Sequence, residues 1–255
     1  MTARLELLPL TGMPLLEPGD DLAAIIVAAL GRNDLELREG DVLVIAQKVV
    51  SKVENRYVSL SAVTPGSEAC ALAGEVCKDP RQVELILRES REVLRARPGV
   101  IIVEHRNGYV HANAGIDRSN ISSDPEDPRL LLLPEDADAS AANLRGAVQA
   151  LTGVAPQVII NDSFGRAWRN GTVGVAIGTA GLLPLKNQIG ERDLFGNVLE
   201  VTEAAVADEL AAAASLVMGQ AAEAVPVVLV RGAALASAET GSKSLLRDRA
   251  LDMFR

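Results

Sequence analysis

Two short segments of this chain carry the side chains best suited to bind a metal ion. The first is Gly115–Asn120, with the sequence GIDRSN, and the second is Asp162-Ser163, directly after an apolar run. Hard divalent cations such as Mg²⁺ bind carboxylate oxygens and complete their coordination with water and substrate phosphates. We therefore interpret the two segments as one metal–nucleotide site. Asp117 alone is more typical of a turn or a helix cap, so the interpretation depends on its pairing with Asp162.

Composition and charge limit the classes of function. With 255 residues, of which 48% are hydrophobic, the chain can bury a large core as one domain or as two smaller lobes. Its net charge of −9 argues against binding to nucleic acids, which depends on clustered Lys and Arg. The chain start lacks a signal-peptide pattern, and no uninterrupted apolar stretch reaches the roughly 18 residues of a membrane span. We therefore expect a cytoplasmic protein that binds neither nucleic acid nor membrane.

Two apolar strands are predicted to position the polar segments. Val42–Ala46 reads as a strand covered on both faces, and it leads into Gln47, Lys48 and Lys52. These lysines suit phosphate binding, but a solvated surface is an equally good interpretation. The second strand, Val158–Ile160, is predicted to stop just before Asp162 and Ser163. Open α/β sheets usually bind ligands where their strands end.

A group of cationic and aromatic residues follows the second strand. Arg166 and Arg169 flank Trp168, the only tryptophan of the chain. The two guanidinium groups suit phosphate or carboxylate recognition, and the alternative is that they pack on the tryptophan ring. The glycine-rich run 171–181 contains neither a P-loop nor a Rossmann fingerprint, so we predict close backbone packing there.

Further patterns predict the scaffold. Asn107-Gly108 is a strong hairpin signal, and the second predicted strand leads to Asp117. His105 and His111 flank this turn, so we interpret them as strand residues. Cys70 and Cys77 lack zinc-ligand spacing, so we expect buried free thiols and no zinc site. The predicted hairpin strands are 100–104 and 109–113, and two more strands are predicted at 5–10 and 225–230. Helices are predicted at 22–30, between an Asp cap and Gly31, and at 82–95, 139–151, 202–218 and 244–254. Proline and charge in 122–138 mark a boundary between two lobes.

Five motifs in order resemble a known family. They are Met13-Pro14-Leu15-Leu16, Val50-Ser51-Lys52, Asn113–Asn120, Asp162–Arg166 and Val206–Glu209. Each motif is weak alone, but together they resemble the coenzyme F420-0:L-glutamate ligase (CofE) family over nearly the whole chain. The resemblance implies an enzyme that adds L-glutamate to the deazaflavin precursor F420-0. It also implies GTP as co-substrate, Mg²⁺ or Mn²⁺ as the metal, and K⁺ as an activator.

The resemblance also implies an architecture. It is an α+β, two-lobed fold with mixed and antiparallel sheets flanked by helices, in an intertwined homodimer with the site in a groove. Some family members continue into a nitroreductase-like domain, and we expect none in this chain.

Functional residues carry over from the family by position. Asp117, Asp162, Ser163 and Gln220 correspond to the metal ligands, and Asp117, Asp162 and Lys52 to catalytic residues. The guanine nucleotide is expected to contact Met13, Pro14, Leu15, Leu16, Gln47, Lys48, Lys52, Asn120, Met218, Gly219, Gln220, Ala221, Ala222, Glu223, Ala224 and Val225.

Two alternatives remain open at this point. The first is an amide ligase of the same fold that acts on another acid, because fold and nucleotide site do not determine the acceptor. The second is a guanine-nucleotide sensor without catalysis. A substrate panel separates the first from the family reaction, and glutamate-dependent phosphate release excludes the second.

Overall fold

The computed structural model describes residues 4–254 and mixes helices and strands along the chain, which confirms the α+β class. The strands are β1 (Glu6–Pro9), β2 (Val42–Ala46), β3 (Tyr57–Ser59), β4 (Ser90–Arg97), β5 (Val100–His105), β6 (Val110–Ala112), β7 (Arg129–Leu131), β8 (Gln157–Arg166), β9 (Arg169–Ala180), β10 (Lys186–Asn187), β11 (Glu203–Ala204) and β12 (Val227–Arg231). The α-helices are α1 (Leu22–Arg32), α2 (Gln47–Val53), α3 (Ser67–Val76), α4 (Pro80–Arg88), α5 (Ala137–Thr152) and α6 (Val206–Met218).

A five-stranded sheet in the order β1-β12-β2-β8-β9 forms the centre of the molecule. Strands β2 and β8 are parallel, and the other neighbours are antiparallel. Alternate residues of β2 contact different cores, because successive strand side chains point to opposite faces. Leu43 and Ile45 pack with residues of α1 and α5, whereas Val42 and Val44 pack with residues of α6. The predicted double coverage of this strand is confirmed.

The parallel pair determines where the polar segments meet. Ala46 of β2 pairs with Asn161 of β8, so Gln47 and Asp162 both follow the last paired residues at the same edge of the sheet. Strand β8 does not end there as predicted. It continues as a hairpin with β9 as far as Arg166, because the antiparallel pairing with β9 on its other side extends beyond the pairing with β2.

A separate apolar core lies between α3, α4 and the smaller sheets. Its buried residues include Ala69, Ile86, Ile101 and Leu130. Strand β3 pairs with β7, and β4, β5 and β6 form a three-stranded sheet that contains the predicted hairpin. The lobe boundary at 122–138 stays a prediction.

Close backbone packing is confirmed at two glycines of β9. A Cβ on Gly174 would lie 2.3 Å from the carbonyl oxygen of Ala211 in α6, and one on Gly178 would lie 2.3 Å from that of Ala137 in α5. Only a residue without a side chain lets both helices approach this strand so closely.

Several local predictions were wrong. The helix predicted over 82–95 ends at Arg88, and the chain continues as β4, because pairing with β5 outweighs the apolar spacing. Gly31 does not end α1, which reaches Arg32, and Asn33 donates to the Ala29 carbonyl oxygen. Cys70 and Cys77 are exposed free thiols and not buried ones. The helix predicted at 202–218 begins only at Val206, and the one at 244–254 is replaced by 3₁₀ turns at Ser242–Leu245 and Arg249–Leu251.

Between residues 4 and 254, none of the helices combines the length and the apolar character needed to cross a membrane.

Candidate metal and nucleotide site

A cleft of about 690 Å³ lies where β2 and β8 stop pairing with each other, and Ala46 and Asn161 form part of its wall. The residues assigned from the sequence to a metal or a nucleotide all line this one cleft. They are Met13, Pro14, Leu15, Leu16, Gln47, Lys48, Lys52, Asp117, Asn120, Asp162, Ser163, Met218, Gly219, Gln220, Ala221, Ala222, Glu223, Ala224 and Val225.

The short helix α2 presents both lysines to the cleft. Lys48 and Lys52 are four residues apart, so they lie on one side of the helix. The Lys48 Nζ atom lies 3.1 Å from Asp117 Oδ1 and donates to the carbonyl oxygen of Ser119 at 3.0 Å. Burial, followed by the charge of Lys48, lowers the pKa of Lys52. An ion-paired Lys48 in a cleft contradicts the solvated-surface interpretation.

Asp117 is fixed by its backbone and leaves one carboxylate oxygen available. Its N–H donates to the Leu131 carbonyl oxygen at 2.9 Å, in an isolated bridge that joins it to β7. Its Oδ2 atom is buried and has no hydrogen-bond partner within residues 4–254. Burial raises the pKa of this carboxyl, while Lys48 and Lys52 lower it. An unpaired buried oxygen is costly, so it marks a place where a ligand is expected.

The pKa of Asp162 depends on its burial and on the charge of Asp117. Burial and, after it, the negative charge of Asp117 together raise the pKa of the Asp162 carboxyl to about 7, although a hydrogen bond from the Ser163 N–H at 2.7 Å acts in the opposite direction. Two carboxylates in one poorly solvated site repel each other, so one retains a proton to an unusually high pH. A divalent cation between them would remove this repulsion.

Neutral oxygens surround the carboxylate pair. Ser163 Oγ donates to Gln220 Oε1 at 2.8 Å, and Gln220 Nε2 donates to Ser215 Oγ at 3.0 Å. Gln220 follows the end of α6, where Gly219 adopts a positive φ of 73°. Asn120 Nδ2 donates to the Ala221 carbonyl oxygen at 2.8 Å. This bond joins the turn after Asp117 to the turn after α6 across the cleft.

The donor set fits a hard divalent cation. In the part of the chain that the structure describes, no three His, Cys, Asp or Glu side chains cluster closely enough to hold a metal on their own. The cleft instead offers the carboxylates of Asp117 and Asp162 with the neutral oxygens of Ser163 and Gln220. Mg²⁺ is typically bound by one or two protein carboxylates, and phosphate oxygens and water complete its coordination.

Comparisons with known proteins agree with the motifs. A family model described as F420-0:Gamma-glutamyl ligase matches residues 12–232, a range that includes every residue assigned to the cleft. The chain belongs to this family. A protein of Methanothermobacter thermautotrophicus named Coenzyme F420:L-glutamate ligase is 48% identical over 253 residues, which cover 98% of this chain and 99% of that protein. A protein of Methanopyrus kandleri with the same name is 47% identical over 231 residues, which cover 91% of this chain and 87% of that protein.

Some residues of this F420-0:gamma-glutamyl ligase family member were missed from the sequence. Glu17, Tyr57 and Ser119 also line the cleft. The Arg129 guanidinium lies 4.5 Å from the centre of the Tyr57 ring and holds it in place. Glu17 directly follows the first family motif, and Ser119 lies within the third, so both could have been found there. Tyr57 carries no such signal, because it lies outside all five motifs, in β3, which pairs with β7.

The arginines around Trp168 are not brought into the cleft. Arg166 and Arg169 pair with each other at the tip of the β8–β9 hairpin, beyond Ser163. Neither guanidinium stacks on Trp168 within the described residues, so the packing alternative was wrong. His105 and His111 lie in β5 and β6, as predicted, and are not among the residues that line the cleft.

Proposed function

We propose that this protein is a GTP-dependent ligase that joins L-glutamate to coenzyme F420-0 through an amide bond. The observation that carries the proposal is the convergence of Asp117, Asp162, Lys48 and Lys52 in one cleft of a chain that belongs to this family. Relatives that match over 98% and 91% of this chain are named coenzyme F420:L-glutamate ligases, which supports the same reaction here.

Asp117, Asp162, Ser163 and Gln220 would hold Mg²⁺ or Mn²⁺. The fit rests on the unpaired Asp117 Oδ2 atom and on the burial and the repulsion from Asp117 that raise the pKa of Asp162. When bound, such an ion neutralises charge on phosphate oxygens. Activation by K⁺ is part of the proposal only through the family resemblance.

The reaction we propose has two chemical steps. A carboxylate oxygen of F420-0 attacks the γ-phosphorus of GTP, which forms an acyl phosphate and releases GDP. The amine of glutamate then attacks the acyl carbon, loses a proton, and displaces inorganic phosphate to leave the amide. In phosphoryl transfer a protein contributes mainly positioning and charge neutralisation.

The side chains of the cleft have distinct roles in this scheme. Lys48 and Lys52 neutralise the phosphate oxygens, and Lys48 also contacts Asp117 and the carbonyl oxygen of Ser119. The loop Met13–Leu16 and the turn Met218–Val225 both line the cleft and would contact the nucleotide. Asn120, which already bonds to Ala221, holds the two sides of the cleft at a constant distance.

Mass spectrometry of the reaction products tests the proposal. Purified protein is incubated with F420-0, L-glutamate, GTP and Mg²⁺ or Mn²⁺, and separately without nucleotide. Products heavier by one or more glutamyl units are expected only with GTP and metal. GTP binding without a glutamyl product would favour another acid acceptor or a nucleotide sensor.

Two variants test the site itself. Asp117→Ala is expected to abolish turnover with the fold retained. Glu39→Ala is the matched control, because Glu39 is an exposed acidic residue outside the cleft lining. Near-normal ligation by Asp117→Ala would remove Asp117 from the site.

The proposal includes an intertwined homodimer. The segment between β10 and β11 exposes several large apolar side chains, with Leu194 99% and Phe195 90% exposed. Apolar surface of this kind is typical of protein–protein contacts. Light scattering after size exclusion is expected to give twice the chain mass, and the double change Leu194→Ser with Phe195→Ser is expected to give a monomer. A monomeric wild type would refute the dimer.

A further inference from the structure

The tip of the β8–β9 hairpin carries an unusual residue for its conformation. Trp168 has a φ of 65°, in the left-handed region that favours Gly and Asn, and no other aromatic residue between positions 4 and 254 has a positive φ. It occupies the second position of a two-residue turn between the paired Arg166 and Arg169. A bulky residue in this conformation costs stability, and such strain is often retained where a side chain has a function.

The Trp168 ring is also almost fully exposed. Its exposed fraction is 87%, although tryptophan is usually well covered in folded proteins. Arg166 and Arg169 are exposed on either side of it. Arg166 Nη1 donates to the Gly171 carbonyl oxygen at 3.1 Å and so stabilises the turn. The tip therefore presents one free aromatic face and two guanidinium groups in a chain whose net charge is −9.

We propose that this tip binds the acceptor substrate: Trp168 stacks on the deazaflavin ring of F420-0, and Arg166 and Arg169 contact its phosphate. The inference rests on the proposed function and adds the residues that select the acceptor. A planar aromatic ring joined to an anionic linker is the ligand that an exposed tryptophan between two arginines fits.

The position of the tip relative to the cleft supports this ligand. Trp168 and Ser163 belong to one hairpin and are five positions apart, a separation of about 15 Å along an extended strand. F420-0 is elongated, with its ring at one end, its reacting carboxyl at the other, and a polyol and phosphate between them. When the carboxyl lies beside Asp162 and Ser163, the ring can reach Trp168 outside the cleft.

Fluorescence tests binding directly, because Trp168 is the only tryptophan and all indole emission comes from the tip. Titration with F420-0 is expected to quench this emission in a saturable way, whereas GDP with Mg²⁺ is expected to leave it unchanged. Free N-acetyltryptophanamide corrects for light absorbed by the deazaflavin. Absence of saturable quenching by F420-0, or quenching by GDP in its place, would overturn the proposal.

Steady-state kinetics distinguish a binding role from a structural one. Trp168→Ala is expected to raise KM for F420-0 by about 10-fold or more, the scale of base–aromatic stacking, with kcat and the KM values for GTP and glutamate within about twofold. Trp168→Phe should restore most of the affinity. Leu216→Ala is the matched control, because Leu216 is also 87% exposed but lies on α6. An unchanged KM for F420-0 in Trp168→Ala would refute the proposal.

Stability gives a second, independent readout. Trp168→Asn is expected to raise the unfolding midpoint, because Asn suits the left-handed region, and yet to raise KM for F420-0. A purely structural tryptophan predicts the opposite change in the midpoint.

Arg169→Ala is expected to weaken F420-0 binding several-fold and to leave binding of the phosphate-free deazaflavin nucleoside unchanged. Equal weakening of both ligands would exclude the phosphate contact.

Failure of this inference differs from failure of the proposed function. Glutamyl ligation by the wild type together with normal kinetics of Trp168→Ala would support the proposed ligase reaction and refute F420-0 binding at the hairpin tip. Saturable quenching of the Trp168 emission by F420-0 without any glutamyl product would support the tip as a binding site and refute the proposed ligase reaction. Emission shielded from acrylamide in the free protein would show that another surface covers Trp168, and would also reject the proposal.

Discussion

Replacement of Asp162 by Asn should stabilise the metal-free protein, and the gain should grow with pH. The Asp162 carboxyl has a pKa of about 7 in the fold, compared with 3.8 for an unperturbed Asp, because it is buried next to Asp117. A raised carboxyl pKa gives stability that is complete below 3.8 and is lost as the pH rises to about 7. Asn cannot ionise, so the variant escapes this loss.

The size of the effect follows from the two pKa values. Relative to low pH, the raised pKa costs the fold about 1.7 kcal/mol at pH 5 and about 4.3 kcal/mol at pH 8, because the unfolded chain ionises this carboxyl more readily than the folded protein does. The difference between these costs, about 2.6 kcal/mol, is an upper limit, because part of the residue faces the open cleft and solvent screens its charge. We expect the free energy of unfolding of Asp162→Asn, relative to wild type, to rise by about 1 to 2.5 kcal/mol between pH 5 and pH 8.

Urea unfolding with EDTA at pH 5, 6.5 and 8 measures this difference. Far-UV circular dichroism is the suitable probe, since the single tryptophan is 87% exposed and reports little of the fold. Asp193→Asn is the control: hydrogen bonds from Asn197 lower the pKa of that exposed carboxyl, so its effect should be constant from pH 5 to pH 8. If the difference in the free energy of unfolding between Asp162→Asn and wild type did not change with pH, Asp117 and Asp162 would not share a poorly solvated site.

The metal provides a complementary test with the same variant. At a Mg²⁺ concentration 100 times its Kd, a site that binds only the folded protein adds about 2.7 kcal/mol of stability. Wild type should gain this amount at pH 8, whereas Asp162→Asn should gain little. Equal gains in both proteins would exclude Asp162 as a ligand.

Three further changes test the scaffold by urea unfolding. Gly174→Ala should destabilise the fold by about 2 to 4 kcal/mol, because its Cβ would meet the Ala211 backbone. Gly146→Ala in α5 is the control: a Cβ there meets nothing within 4 Å, so the change should be neutral or stabilising by up to about 1 kcal/mol. Similar effects of the two changes would refute the close contact at Gly174. Burial lowers the pKa of His111 to about 3, so the fold should lose about 2 kcal/mol as the pH falls from 8 to 5, and His111→Gln should lack this loss. Asp41 is buried and accepts from Arg231 at 2.6 and 2.9 Å, so Asp41→Asn should cost about 3 kcal/mol; a cost below 1 kcal/mol would contradict the pairing.

Local signals in the sequence were sufficient for many elements. The continuous apolar run Val42–Ala46 and the Asn107-Gly108 turn predicted a buried strand and a hairpin, and both are present. Prediction failed where a distant partner decides the structure. Residues 90–95 have helical spacing, yet they form β4 because β5 offers hydrogen bonds along its edge. The thiol of Cys77 is exposed because this residue ends α3 in the left-handed conformation, which no spacing indicates.

The candidate site divides in the same way. The sequence alone was enough to name the candidate side chains, because carboxylate, amide and ammonium groups are properties of residue type. Only the tertiary structure decided that they share one cleft, since parallel pairing of β2 with β8 places Lys48 and Asp162 at one edge and the bridge to Leu131 adds Asp117. The pKa of Asp162 and the exposure of Trp168 also depend on the fold, because burial and neighbouring charge arise from residues far apart in the chain.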